Sequence, residues 1–302
     1  MERYYSINQY YKNRFGGKVY KIALDAGFTC PNRDGTLDTR GCIFCTKGGS
    51  GEFAEHLDTH IGEQIEAAKA RLAKKAKDVV GYIAYLQSYT NTYAPIERLR
   101  TLYQEIISCE EIIGLAIATR PDCLPKEVLS LLAEINRKIP VFVELGLQTI
   151  HEQSAEVIRR GYALDVYDQA VDALKNIGVN VVTHVIFGLP NESPEMMLET
   201  VKYVGKSGAD GIKLQLLHII KETDLAKMYK DGLVDVMEED AYLNLVCDAI
   251  ECLPLRMVIH RLTGDGAKRD LIAPLWSANK REVLNRLARI MRERDVWQGK
   301  RV

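Results

Sequence analysis

The chain has 302 residues, 47% of them hydrophobic, enough to build one large domain or two small ones around a sizeable core. A formal net charge of −1 does not by itself predict a polyanion partner, and no apolar run is placed or long enough to suggest a signal peptide or a membrane span. Seven cysteines, an odd number in a sequence without a secretion signal, argue against a disulfide framework and for a reducing cytoplasm.

In chain order, residues 19–24 read as a first strand, followed by the run Cys30-Pro-Asn-Arg-Asp-Gly-Thr-Leu-Asp-Thr-Arg-Gly-Cys42-Ile-Phe-Cys45. The close pair Cys42 and Cys45 can bind one metal centre together, and the Gly-, Asp- and Pro-rich loop lets Cys30 fold back as a third ligand. With no fourth cysteine nearby the centre keeps one open position. An iron–sulfur centre held by four thiolates passes electrons, whereas an open iron can bind and activate a small molecule. A structural zinc site needs four ligands, so it would have to borrow a residue such as His56 or His60. Gly48-Gly49-Ser50-Gly51 lacks the strand, Lys and helix of a phosphate loop and reads as a flexible link.

Beyond the cysteines, strand patterns at 80–87, 112–119, 141–148, 179–187 and 212–218 alternate with amphipathic helices at 60–77, 95–109, 125–137, 165–177 and 193–207. Asp165 and Ser193 suit N-cap positions, Pro194 a first helical position, and Gly178 and Gly208 the sites just past helix ends. Repeated strand–helix alternation implies parallel strands with right-handed crossovers. Six units suit a partial (β/α)6 barrel, although periodicity alone leaves a flat doubly wound sheet open. Either fold puts ligands at the C-terminal ends of the strands, where the cysteines, Thr90, Thr119–Asp122, Gln148 and Gly188–Pro190 fall. After residue 220 the pattern turns to helices at 222–231, 238–252 and 278–294 with a short strand near 257–261. This predicts a barrel over 1–220 and a packed C-terminal extension over 221–302.

Charge is unevenly spread. Residues 1–47 carry 8 Lys and Arg against 4 Asp and Glu, and residues 254–302 carry 12 against 5. If the two ends meet they form one basic face suited to a phosphate backbone; the plainer alternative is solvated helix surface. The last helix has Val283, Leu284, Leu287, Ile290 and Met291 along one side, with Lys280, Arg281, Arg289 and Arg292 over much of the rest.

The cysteine run resembles the cluster motif of radical S-adenosylmethionine (SAM) enzymes, in the wider-spaced form of the Elongator catalytic subunit. Thr119-Arg-Pro-Asp122, Glu144-Leu-Gly-Leu-Gln148, Arg159-Arg-Gly-Tyr162, Leu174–Val181 and His184-Val-Ile-Phe-Gly-Leu-Pro190 follow that branch in order and spacing. Cys30-Pro-Asn-Arg-Asp-Gly35 and Arg261-Leu-Thr-Gly-Asp265 look most like the YhcC/YtqA-type family of tRNA wobble-uridine modifying proteins. The resemblance selects the partial barrel and implies a [4Fe–4S] cluster on Cys30, Cys42 and Cys45. It implies a SAM molecule chelated at the open iron and cleaved to a 5′-deoxyadenosyl radical. It also places Gln148, Arg160, His184 and Thr90 as SAM contacts, with Arg160 as a fork on the methionine carboxylate and His184 at the ribose. For His184 the alternative is a hydrogen-bonded core residue, and for Arg160 a helix-surface residue. Ser88, Tyr89 and Thr90 replace the glycines that the branch carries near the SAM amino group. Phe44 suits either a shield over the cluster and adenine or ordinary loop packing.

Lys213, Gln215 and His218 alternate along the sixth strand as candidate substrate contacts, and Cys123 stands at the active rim, where packing is the simpler role. Cys109, Cys247 and Cys252 read as buried small hydrophobes. The family implies tRNA as substrate, with conversion of 5-carboxymethylaminomethyluridine, or its 2-thio form, to the 5-aminomethyl nucleoside. Further partners so implied are an electron donor such as flavodoxin or ferredoxin and a downstream tRNA methyltransferase, with no membrane. Alternatives are a radical SAM enzyme for another RNA group or a small metabolite, or a zinc-binding structural module.

Overall fold

Runs of Val, Ile and Leu form a sheet whose two faces are set by alternation along each strand. A computed structural model describes residues 2–49, 60–73, 78–264, 266 and 268–302. Strands β1 (Lys18–Leu24), β2 (Val79–Leu86), β3 (Ile112–Thr119), β4 (Val141–Gln148), β5 (Asn180–Phe187) and β6 (Gly211–Leu216) pair in chain order, all parallel. After a short β7 (Ile219–Ile220), β8 (Val258–Arg261) joins β6 as a seventh parallel strand. β7 pairs antiparallel with β9 (Leu271–Ala273). The sheet curls into a half-barrel.

Outward residues such as Val143, Leu145, Leu147, Ile212, Leu214 and Leu216 pack in the main core. That core lies under α2 (Ile61–Ala73), α3 (Ile96–Ser108), α4 (Lys126–Asn136), α6 (Leu164–Asn176) and α7 (Pro194–Lys206), with the short α5 (Glu152–Val157) after β4. The alternate residues, Phe142, Glu144, Gly146 and Gln148 on β4 and Lys213 and Gln215 on β6, face the lumen. One element was not expected. Helix α1 (Ile7–Phe15), capped by the Ser6 side chain on the Gln9 N–H, sets Tyr10 and Tyr11 edge-on to Phe142 at 6.2 and 6.4 Å. The Ile259 N–H donates to the Tyr5 carbonyl, so this segment spans β1 and β8 and plugs the N-terminal end of the lumen.

The extension is part of the same sheet through β8. It adds α8 (Asp224–Lys230), α9 (Glu239–Cys252) and α10 (Lys280–Glu293), with α9 packed on α7 and α10 on α9. Ser193, Pro194, Gly178 and Gly208 hold the expected cap positions. Asp165 does not. Helix α6 starts one residue earlier, because the Glu152 carboxylate caps the Leu164 N–H at 2.9 Å and leaves Asp165 in the first turn. Residues 74–77, expected in α2, lie outside the described residues. Among the described residues, no helix is long and apolar enough to cross a membrane.

Candidate active site

Cys30, Cys42 and Cys45 line one cavity of about 260 Å³ at the C-terminal ends of the strands. The loop that carries them is tied down by its own polar residues. Asn32 donates to the Arg159 carbonyl (2.7 Å), Arg159 to the Gly41 carbonyl (3.1 Å), and Arg33 to the carbonyls of Cys45 and Thr46 (2.9 and 2.7 Å). Gly161 closes the turn after α5 at φ +79°, and a Cβ there would lie 2.9 Å from Asn32 Oδ1, so both backbone and space call for glycine. The hydrogen bond from Cys45 brings the Cys42 thiol down to about 7 against burial, with Arg120, Asn32 and Arg33 assisting. The same bond, with burial, pushes Cys45 up.

The two thiols thus divide one proton, and a thiophilic centre would take both as thiolates. His60 Nδ1 lies 3.1 Å from a Glu105 carboxylate oxygen and is absent from the cavity wall; His56 lies outside the described residues. Among the described residues no group of three or more His, Cys, Asp or Glu is set to hold a metal ion, the three cysteines included. Three thiols facing an open cavity fit a cluster with one accessible iron better than a closed zinc site.

Below the cysteines, inward residues of four strands meet around one carboxylate. Glu144, fully buried, accepts from Lys21 (2.5 Å), His184 (2.8 Å) and Lys213. Lys213 also reaches the Tyr85 hydroxyl at 3.3 Å, and the Tyr85 ring lies 4.6 and 4.8 Å from the Lys21 and Lys213 ammonium nitrogens. A carboxylate only accepts, so His184 Nε2 carries the proton and Nδ1 accepts from the Gln215 amide at 3.3 Å. Burial, helped by Lys213, lowers His184 to about 4 and keeps the ring neutral. Burial resists ionisation of Glu144, but Lys21 and Lys213 outweigh it and hold the carboxyl well below its usual range. One carboxylate cannot support both amines equally. Lys21 is raised, because Glu144 outweighs burial. Lys213 is lowered to about 7 by burial, which Glu144 only partly offsets while Lys21 and Arg261 add to it.

Gln148, Thr90, Lys213, Gln215 and His218 all line the cavity. Gln148 ends β4 at φ +69°, and its Oε1 is buried with no hydrogen-bond partner. Thr90 is buried in a loop fixed by Asn91, whose amide donates to the carbonyls of Leu86, Ser88 and Ala118 at 3.1, 2.9 and 3.0 Å. The His218 ring is boxed by backbone: a Cβ on Gly264 or Gly266 would lie 2.7 or 3.0 Å from it. Phe44 lines the cavity while packing on the cluster around Ile43 and Ile158. Ser50 and Gly51 of the expected link, and Asp265, lie outside the described residues.

Two of the expected SAM contacts are also bonded within the protein. Arg160 lines the cavity, and three of its five N–H groups donate to the carbonyls of Tyr162 (3.0 Å) and Thr149 (2.6 Å) and to Glu152 (3.0 Å). It serves to hold the turn that straps the cysteine loop. His184 lines the cavity with both ring nitrogens engaged by protein, which binds it into the lumen network. Cys123 is buried beneath a separate cleft beside the cysteine loop, its thiol pushed up by burial, in keeping with the simpler packing role.

The basic ends do meet. Arg3 pairs with Asp295 at 3.1 Å and stacks on Trp297, and the Gln298 side chain bonds Tyr5, Pro254 and Met257. Much of the C-terminal charge is nevertheless consumed by α9. Arg286 pairs with Glu239 and Asp240, Arg294 with Asp248, and Arg301 with Asp248 and Glu251. Val283, Leu287 and Met291 are buried as the amphipathic pattern requires; Leu284 is exposed.

The chain matches the family model of the radical SAM superfamily over residues 39–204 and the radical SAM C-terminal domain over 209–293. It is 44% identical to the YtqA protein of Bacillus subtilis (strain 168) over 299 residues, covering 99% of this chain and 92% of that one. It is 29% identical over 178 residues to the tRNA uridine(34) acetyltransferase of Dehalococcoides mccartyi (strain CBDB1), covering 57% of this chain and 36% of that one. Among solved structures it shares its fold with the archaeal Methanocaldococcus infernus Elp3, at TM-score 0.69 and 17% identity, over 93% of this chain and 64% of that one.

Proposed function

From the premise that the chain belongs to the radical SAM superfamily, and is an enzyme of the kind that uses a [4Fe–4S] cluster with SAM, we propose that it modifies wobble uridine in tRNA. The reaction we assign is conversion of 5-carboxymethylaminomethyluridine, or its 2-thio form, to the 5-aminomethyl nucleoside: the CH2 between nitrogen and carboxylate would be oxidised to the imine, with SAM as the two-electron oxidant, and water would then release the two carbons as glyoxylate. The observation that carries the reading is the coincidence of two features. The three cysteines line the mouth of a polar lumen, and the sequence is similar over 178 residues to a tRNA uridine(34) acetyltransferase. In this reading Cys30, Cys42 and Cys45 each hold one iron. When bound, cluster and SAM together supply reductive cleavage of the sulfonium and removal of a hydrogen atom from substrate.

The chain's own residues bind, orient and exclude water. Gln148 offers a buried carbonyl with no internal partner, and Thr90 a hydroxyl, where SAM's polar groups need hydrogen bonds. Tyr10, Tyr11 and Phe142 seal the lumen from below. Arg120, Arg159 and Arg160 are positioning residues that brace the cysteine loop, Arg120 through its donation to the Arg160 carbonyl at 2.9 Å. The test is nucleoside mass spectrometry of tRNA from a deletion strain. Loss of the 5-aminomethyl-derived wobble nucleosides with accumulation of the carboxymethylaminomethyl form is expected. An unchanged wobble profile would reject the assignment.

A further inference from the structure

Lys21 and Lys213 share Glu144. Buried ammonium groups are costly unless anions balance them, and here two face one carboxylate. Among the described residues, the other groups around Lys213 bring no negative charge. His184 on β5 is neutral, Gln215 is uncharged, and Arg261 on β8 adds positive potential. Tyr85 on β2 and Tyr11 on α1 are raised by burial and keep their protons, and His260 on β8 is lowered and stays neutral. The cavity runs from Lys213 past Gln215, about 7 Å along β6, to Gln148 and the cysteines, with Arg261 in its wall.

We propose that Lys213, with Gln215 beside it, forms an anion subsite in the lumen floor that receives a carboxylate carried on the reacting arm of the substrate. This rests on the assignment of a carboxymethylaminomethyl substrate to the same lumen. Seating the carboxylate there fixes the adjacent CH2 on the cysteine side of Lys213. A product arm that has lost the carboxylate and ends in an ammonium group loses its pairing with Lys213 and brings a like charge beside it, which favours its release. The subsite therefore sets both which arm enters and which leaves.

The test uses the full-length, anaerobically reconstituted holoenzyme and two probes, free 5-carboxymethylaminomethyluridine and its carboxamide, with affinities measured by calorimetry. The wild-type protein should bind the acid at least about tenfold more tightly than the amide. Lys213→Met should bring the ratio close to one with SAM affinity unchanged, while Lys213→Arg keeps the preference. A merely structural lysine would weaken both probes alike. Equal or undetectable binding of both by wild type, a ratio that survives Lys213→Met, or loss of SAM affinity in its place would each overturn the subsite, the last assigning Lys213 to SAM's own carboxylate. If Lys213→Met does not fold, the wild-type ratio carries the test. It should fall as pH rises through about 7, where Lys213 gives up its proton, and a ratio indifferent to pH would refute the role. An unchanged tRNA profile in the deletion strain would remove the tRNA assignment and leave this ratio standing; a missing ratio would do the reverse.

Discussion

Arg294 and Arg301 meet Asp248 on the surface of α9, and Lys21 and Lys213 meet Glu144 in the lumen, yet the two constellations differ in what water can do for them. At the surface acid and base are matched along two helices, each pair is partly solvated, and such pairs contribute little individually. In the lumen Glu144 is buried, so its two lysines, His184 and Tyr85 stand in for water around it. The first arrangement docks α10 and neutralises a basic tail. The second sets two lysines against one carboxylate among the described residues, in a cavity lined also by the three cysteines. Charge that is matched is structural, and charge left over in a dry site marks where a ligand belongs.

The largest expected effect separates these regions by stability. Glu144→Gln strands two buried ammonium groups and should cost about 3–5 kcal/mol in urea unfolding, whereas Asp248→Asn should cost no more than about 1 kcal/mol. Comparable losses would erase the distinction. Next, Ala at Cys30, Cys42 or Cys45 should abolish or destabilise a reconstituted cluster while the melting transition persists, since the core lies on the outer face of the sheet. Iron analysis and the thermal scan, read on the same sample, check both halves.

A smaller effect follows from pH. Native His184 takes its proton only near 4, but the unfolded chain takes one near 6.5, so stability should fall as pH drops between those values. Glu144, ionised to well below its usual range, extends the loss further into acid. In His184→Gln the melting temperature should depend less on pH between about 6.5 and 4; an unaltered slope would mean the ring is not held neutral. The smallest effect concerns the surface. Arg281 and Arg292 are exposed and form no ion pair among the described residues, and Arg289 has only Glu293 at 3.6 Å. Changing all three to Gln should reduce the salt slope of tRNA binding by about 0.7–0.9 log units for each phosphate that is no longer neutralised. An identical slope would make α10 a solvated face.

Strand order, helix positions and the cysteine loop were legible because they rest on periodicity and local spacing, which a single sequence displays. The plug helix was not, since Ile7–Phe15 carries its apolar surface on tyrosines among polar residues and its role depends on packing against β8, far along the chain. The seventh strand shows in the sequence as a short apolar run, but pairing with β6 is a long-range fact. Glu144 does carry a sequence signal of its own: a lone carboxylate in the strand Val141–Gln148 has to be paired if buried. Its partners sit on β1, β5 and β6, and only the curl of the sheet brings them together. Arg160 and His184 could be located by motif, but their partners could not, and those partners turned both inward.

The account is tested most directly by one turnover measurement. Reconstituted enzyme, SAM and a reductant should be incubated with tRNA bearing 5-carboxymethylaminomethyluridine at the wobble position, and the nucleosides and small molecules resolved by mass spectrometry. The expected result is 5-aminomethyluridine and 5′-deoxyadenosine appearing together in proportion to enzyme. Formation of 5′-deoxyadenosine with the wobble nucleoside untouched would contradict the assignment of this lumen to that substrate.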